Sequence, residues 1–196
     1  MFIKNDTQAF ITDSDTSDGR GKIFAVGRID VSTSTREKTN TIVAGLAIAS
    51  GFAGAGAIDF VSLNNTNKAF ISEVDVQSNN DVTVLANDFI DVDVKTGTIS
   101  AGAGSAGGGT FLATLNNNLT EAQIAAAHIN ARGITSVLAN TDADLGGALP
   151  DVNTAVSLGA GGALSFNGAF AFYISTSQTR AAINGGSRSS EINQTI

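Results

Sequence analysis

The sequence has no cysteine and no tryptophan, and it has one proline, one histidine, one methionine and one tyrosine among 196 residues. The absence of cysteine excludes a disulfide scaffold, a thiolate zinc site and a cysteine nucleophile. The single imidazole, His128, excludes any site that needs two histidines. Basic residues are also scarce, at 11 against 18 acidic ones. The net charge of -7 disfavours a nucleic-acid partner, because phosphate binding needs clustered lysine and arginine.

The residues that are abundant indicate a folded, repetitive protein. The chain is 42% hydrophobic and contains 22 glycines and 11 phenylalanines, so it is too apolar to be disordered. Its length predicts about one domain. No secretion signal opens the sequence. We interpret Met1 before Phe2 as the start of an excised segment.

An Ala-x-Ile tripeptide recurs through the chain at a nearly even spacing, beginning at Ala9, Ala69, Ala127 and Ala181. Two further landmarks follow in the same order: an aspartate at positions 30, 91 and 144, and a glycine- and alanine-rich block at 51–56, 102–109 and 159–162. Repeats of this length are typical of solenoids. We therefore predict one domain over residues 1–183, made of about three degenerate repeats of 53–61 residues, with residues 184–196 as a polar tail or an incomplete next coil.

Within the repeats, the apolar residues alternate with a period of two, as at 74–76, 82–84, 90–94 and 170–174. These segments are rich in β-branched and aromatic residues, which is typical of strands. Polar and glycine pairs between them, such as Asn79-Asn80 and Thr96-Gly97, predict turns. The pattern predicts an all-β parallel solenoid, with about three turns of the coil in each repeat.

One segment predicts a helix instead. Thr120 and Gln123 are spaced for a capping box, and alanines, the best helix formers, follow them. Arg132-Gly133 could end such a helix. We therefore expect a short helical excursion around residues 119–131, on the outside of the coil.

Three sequence patterns resemble those of a known group of proteins. They are Asn-x-Thr-x-Ala-Phe-Ile at 5–11, Val-Thr-Val-Leu-Ala-Asn-Asp at 82–88, and the glycine and alanine blocks. Together they resemble repeats of the filamentous haemagglutinin and autotransporter-type bacterial adhesins, including the leukotoxin-like filamentous adhesins. The resemblance implies a right-handed parallel β-helix, exported by a type V or two-partner route to the cell surface or the medium.

Paired carboxylates on one strand face are the main candidates for chemistry. Asp91 and Asp93 lie two residues apart, as do Glu73 and Asp75, which places each pair about 6.6 Å apart along a strand. That spacing does not exclude a glycosidase pair, but the recurrence of aspartate at this landmark favours a solvated face over a cation or glycan contact and over catalysis. Phe10 and Phe70 are candidates for exposed ligand contacts.

No metal or cofactor is expected on the main interpretation. Asp13, Asp15 and Asp18 form a loop that resembles a calcium site, but the glycine and glutamate of an EF-hand are missing from their positions. Residues 102–107 match G-x-G-x-x-G, yet a poor helix former follows, which disfavours a dinucleotide site. The uncharged run Ile42–Ile58 is too short and too rich in glycine to span a membrane, so we expect it to be buried.

These observations predict a non-enzymatic segment of a bacterial fibrous surface protein. It would form a rigid stalk, associate end to end, and present corner loops to a glycan or protein on a host or neighbouring cell. The alternatives are a polysaccharide-active or glycan-binding β-helix, as in tail spikes and lyases, and a subunit of a self-assembling surface filament. No nucleic-acid partner and no membrane span are expected.

Overall fold

The structure is a computed structural model that describes residues 1–14, 19–144, 147–148, 151–152, 154–184 and 191–192. Strands make up nearly all of these residues, and no helix occurs among them. The strands are β1 (Phe2–Thr12), β2 (Gly21–Ala25), β3 (Ile29–Ala49), β4 (Phe52–Ser72), β5 (Val74–Ser78), β6 (Val82–Gly102), β7 (Ser105–Ala125), β8 (His128–Ala131), β9 (Thr135–Asp144), β10 (Gly147–Ala148), β11 (Asp151–Val152), β12 (Thr154–Gly161), β13 (Leu164–Asn184) and β14 (Glu191–Ile192).

Three parallel sheets form the sides of a solenoid, as the alternation predicts. The first wide sheet has the order β1-β4-β7-β13, and the narrow sheet has the order β2-β5-β8-β14. The second wide sheet contains β3 and β6, with β9 and β12 both paired to the other edge of β6. Only the two-residue strands β10 and β11 pair antiparallel among the described residues. The prediction of an all-β parallel β-solenoid is confirmed, and its right-handed sense stays a prediction.

Each repeat forms one turn of the coil, so the prediction of about three turns per repeat was wrong. One circuit consists of β4, β5 and β6, which have 21, 5 and 21 residues. At about 3.3 Å per residue, each wide side is about 70 Å long, whereas successive coils lie only about 4.8 Å apart. The described part of the chain is therefore a broad, thin stack.

The register shows where extra residues enter the coil. In most pairs of neighbouring strands, the residues that lie side by side are 53 positions apart in the sequence. Examples are Gly21 beside Val74 and Val82 beside Thr135. The offset is 60 between β1 and β4, and it is 59 between β6 and β12. The extra residues therefore enter the sequence between β1 and β2 and between β9 and β12.

The predicted helical excursion at 119–131 was wrong, because this segment continues β7 and then forms β8. Thr120, Ala122 and Ile124 are fully buried at every second position, which is the period of a strand. Parallel partners in β4 and β13 flank this part of β7 on both sides. Pairing and burial along two neighbouring coils outweigh the helix propensity of a few alanines.

The same register corrects the repeat landmarks. Ala9 and Ala69 align with Ala122 and Ala181, so the third copy of the tripeptide begins at Ala122 and not at Ala127. Asp91 aligns with Asp144, as the landmarks suggest. Asp30, however, aligns with Thr83. Thr96-Gly97, predicted as a turn, lies within β6.

The core lies between the inner faces of the two wide sheets and is divided by a polar band. One apolar cluster lies near the narrow sheet and includes Ile71, Val84 and Ile124. A second cluster, farther along the same strands, includes Leu63, Val92 and Leu112. Buried polar side chains separate the two clusters and define the polar band: Glu37, Asn65, Asn67, Asp88, Asn116, Asn118 and Thr120.

At the opposite edge from the narrow sheet, the two wide sheets approach each other closely. A Cβ added to Gly45 would lie 2.6 Å from the carbonyl oxygen of Gly56 on the facing strand. The interior here holds only small side chains, including Ala53, Ala57, Thr98 and Ser100. Small residues allow this approach, so the edge is thinner than the rest of the coil.

Candidate functional site

The thin edge exposes apolar side chains on its outside, which corrects the prediction that Ile42–Ile58 is buried. Residues alternate between the two faces, so Phe52 and Ile58 point outward and are 72% and 75% exposed. In the next coils, the column of Ile58 continues as Phe111 and Phe170. A shallow groove of about 730 Å³, floored by glycine, borders this column.

The second wide sheet carries a matching apolar face. Ile42, Leu46 and Ile48 are exposed there, and Leu46 aligns with Ile99 and Leu158. No charged residue occurs at 42–58, 96–120 or 154–179, and we call these three stacked segments the charge-free edge. Exposed apolar surface on both sides of one edge is typical of an interaction surface.

Phe10 and Phe70 lie together on the outside of the first wide sheet. They occupy one column, and their rings are stacked with centroids 5.2 Å apart. Phe10 is 55% exposed, so one ring face is open to solvent. Lys68 and Glu121 form a salt bridge beside a depression that Phe70 also lines. The arrangement can bind an apolar or ring-shaped ligand by stacking.

The two carboxylates of Asp91 and Asp93 are each paired with a lysine. Asp91 lies 2.7 Å from the Lys38 ammonium of the preceding coil, and Asp93 lies 2.7 Å from the Lys95 ammonium. Asp93 is buried. Acid and base chemistry between two carboxylates is disfavoured here, because each negative charge already has its own counter-ion.

His128 lies on the narrow sheet in a polar depression of about 240 Å³ that Lys22 and Phe24 also line. Its Nδ1 is 3.3 Å from a carboxylate oxygen of Asp75, and Arg20 lies 3.7 Å from the same oxygen. His128 is therefore a strand residue with an acidic neighbour. Glu73, the predicted partner of Asp75, instead occupies the turn between β4 and β5 with a positive φ of 56°.

The loop that resembles a calcium site lies only partly within the described residues. A carboxylate oxygen of Asp13 accepts a hydrogen bond from the backbone amide of Gly21 at 2.6 Å. Asp15 and Asp18 lie outside the described residues, so the choice between a polar corner loop and a calcium site is not tested. Across the part of the chain that the structure describes, no three histidine, aspartate or glutamate side chains converge as metal ligands.

The polar band holds two buried acids that the sequence reasoning did not single out. Glu37 accepts hydrogen bonds from the side-chain amides of Asn5 and Asn65. Asp88 is 2% exposed, and its pKa is raised from 3.8 to about 6. Burial is the main cause of this rise, the nearby negative charge of Glu37 adds to it, and the adjacent Thr120 hydroxyl opposes it.

The sequence does contain a signal for Asp88. It follows Val84 and Ala86 and precedes Ile90 at every second position, which puts it in phase with the buried face of β6. An acid in phase with a buried stripe is informative, because buried charges are costly unless they are paired. Glu37 is harder to find, since the other residues around it in β3 are polar.

Comparison of the chain with protein family models, with curated proteins and with solved structures found no match. Among the described residues, the structure contains no helix long and apolar enough to cross a membrane.

Proposed function

We propose that the chain is a structural and adhesive segment of a bacterial fibrous surface protein. It acts without catalysis, and it extends a rigid stalk by stacking coil on coil. The observation that carries this proposal is the repetition of side chains along the columns. Ala9 aligns with alanine in each following coil, and Ile11 aligns with Ile71, Ile124 and Ile183.

A repeating column favours growth of the stack, because a further coil meets the same surface as the coils already present. The last wide strand, β13, is exposed on both faces along most of its length. Its free edge also presents backbone groups that have no partner strand in the described residues. A second copy can continue the ladder by placing β1 beside β13.

The apolar faces of the charge-free edge supply a lateral contact to further copies. On the first wide sheet, a glycine track at Gly56, Gly109 and Gly168 lies beside a ridge formed by Phe111 and Phe170. A two-fold pairing of this face places the ridge of one copy in the groove of the other, which is the requirement for a self-complementary contact.

Paired lysine substitutions on β13 test the end-to-end contact. Ala181 points into the coil, whereas its neighbour Ala182 points outward, by analogy with Ala122 and Gln123 in the coil beside them. We expect wild-type mass in size-exclusion chromatography with light scattering to rise with concentration. Ala181→Lys should lower the average mass, because stacking would bury its charge, and Ala182→Lys should behave as wild type.

A strictly monomeric wild type at every concentration would contradict the stalk proposal. Equal behaviour of the two lysine variants would contradict the assignment of the contact to the end of the ladder.

A second candidate function is glycan binding, and the open ring of Phe10 beside Phe70 favours it. Sugars stack on exposed aromatic faces, and Lys68 and Glu121 lie nearby to contact hydroxyl groups. A glycan array with wild type and Phe10→Ser tests this function. Binding that the substitution abolishes would support it, and an array with no binding would reject it.

A further inference from the structure

We propose that the polar band binds a calcium-sized divalent cation between Glu37 and Asp88, inside the coil. This site is separate from the corner loop of Asp13, and it goes beyond the proposed function. It is assembled from three strands of two wide sheets: Glu37 comes from β3, Asn65 and Asn67 come from β4, and Asp88 comes from β6.

The two acids of the proposed site have no basic side chain beside them inside the coil. Glu37 and Asp88 are both more than nine-tenths buried, and they lie on the paired strands β3 and β6, where Thr35, two residues before Glu37, aligns with Asp88. No lysine, arginine or histidine occupies an inward position on the described parts of β1, β3, β4, β6, β7 or β13. Buried carboxylates without a basic partner need a proton or a metal ion.

Several buried side-chain oxygens around the two acids accept no hydrogen bond. The side-chain oxygens of Asn65 and Asn67 have no hydrogen-bond donor, although these residues are 1% and 0% exposed. Neither carboxylate oxygen of Asp88 has a hydrogen bond of normal geometry, and the buried hydroxyl of Thr35 has none. Buried acceptors are rarely left unsatisfied, so these oxygens, which lie on neighbouring strands of one band, are available as ligands of a cation.

The hydrogen bonds that do exist leave these oxygens free. The Asn65 amide nitrogen donates to Glu37, and the Asn67 amide nitrogen donates to the backbone carbonyl of Asn87, next to Asp88. Thr35 aligns with Asp88 in the adjacent coil, so its hydroxyl lies in the same column. The side-chain nitrogens of Asn65 and Asn67 already donate hydrogen bonds, so the side-chain oxygens remain available as metal ligands.

The donor set matches calcium. Two carboxylates, two amide oxygens and the hydroxyl of Thr35 are all hard oxygen ligands, and Asp88 can contribute both of its oxygens. Calcium accepts six to eight such oxygens in irregular geometry, whereas magnesium requires a near-ideal octahedron and retains water. An enclosed site built from a rigid sheet favours the larger and more tolerant ion.

The experiment refolds the full chain from denaturant in calcium chloride or in a chelator, because an enclosed site exchanges slowly once the coil has formed. After desalting, elemental analysis should find about one calcium per chain. The midpoint of thermal unfolding should rise by about 5–10 °C over the chelated protein when calcium is in hundredfold excess over its dissociation constant.

Three variants locate the ion. Asp88→Asn should abolish both the bound calcium and the thermal shift, while Asp13→Asn and Asp91→Asn should keep both. Wild type that retains no calcium and shows no shift would overturn the proposal. Binding that survives Asp88→Asn, or that is lost in Asp13→Asn, would overturn it too, because the ion would then lie elsewhere.

Discussion

Replacing Asp88 by asparagine should stabilise the protein at neutral pH in the presence of a chelator. The pKa of Asp88 is raised from 3.8 to about 6 in the folded chain, mainly by burial. A raised pKa means that folding favours the protonated acid. The stability that this group contributes is fully present below about pH 3.8 and is lost as the pH rises through about 6.

The size of the effect follows from the shift. About two pKa units correspond to about 3 kcal/mol of unfolding free energy above pH 6, where the folded chain holds a buried charge. Asparagine has nearly the same shape and no charge. We therefore expect Asp88→Asn to gain up to about 3 kcal/mol at neutral pH, and the gain to shrink steadily towards pH 4.

Denaturant unfolding followed by circular dichroism, at a series of pH values, measures this difference between variant and wild type. Asp91→Asn is the matched control, because Asp91 is paired with Lys38 on the outside of the same strand. The control should change stability by less than about 1 kcal/mol, without a gain. An Asp88→Asn variant that is no more stable than wild type at neutral pH, or whose gain does not depend on pH, would refute the reasoning.

Two further predictions test the packing of the coil. Gly45→Ala should cost about 1–3 kcal/mol of unfolding free energy in chemical denaturation, because its Cβ meets the Gly56 carbonyl oxygen, whereas Gly56→Ala, which has open space, should not be destabilising. Ala122→Lys should cost about 3–5 kcal/mol by the same measurement, because it buries a charge in a fully enclosed column, and Gln123→Lys should be nearly neutral. A neutral Gly45→Ala would contradict the close approach of the sheets, and equal costs at 122 and 123 would contradict the strand assignment.

Several features of the fold follow from local pattern. The alternation at 82–84 and 90–94 predicts strands, and it identifies the inward residues of β6 correctly. The repeat landmarks predict parallel stacking, since unlike features recur in the same order. The prediction of a helix at 119–131 was wrong for a specific reason. The helix propensity of alanine is a local property, whereas Ala122 and Ile124 pair with strands of the preceding and the following coil.

The candidate sites also differ in how much of each could be predicted from the sequence. Phe10 and Phe70 were predicted only as exposed ligand contacts, and their stacking in one column depends on the pairing of β1 with β4. The lysines that pair with Asp91 and Asp93 were missed, because Lys38 belongs to the preceding coil. The exposure of Phe52 and Ile58 was missed as well, because an uncharged run does not reveal which of its faces another sheet covers.

The chain's composition and its two-residue period are enough to require strands, to exclude thiol chemistry and paired histidines, and to distinguish inner from outer positions. The length of the coil, its register and the burial of Glu37 beside Asp88 depend on contacts between residues far apart in the chain. The alternation of apolar and polar residues is a property of each short segment, so it can be recognised from the sequence alone. The choice of neighbouring segments depends on pairing and packing energies added over whole strands. These energies arise only when the coils stack, so no short segment of the sequence contains them.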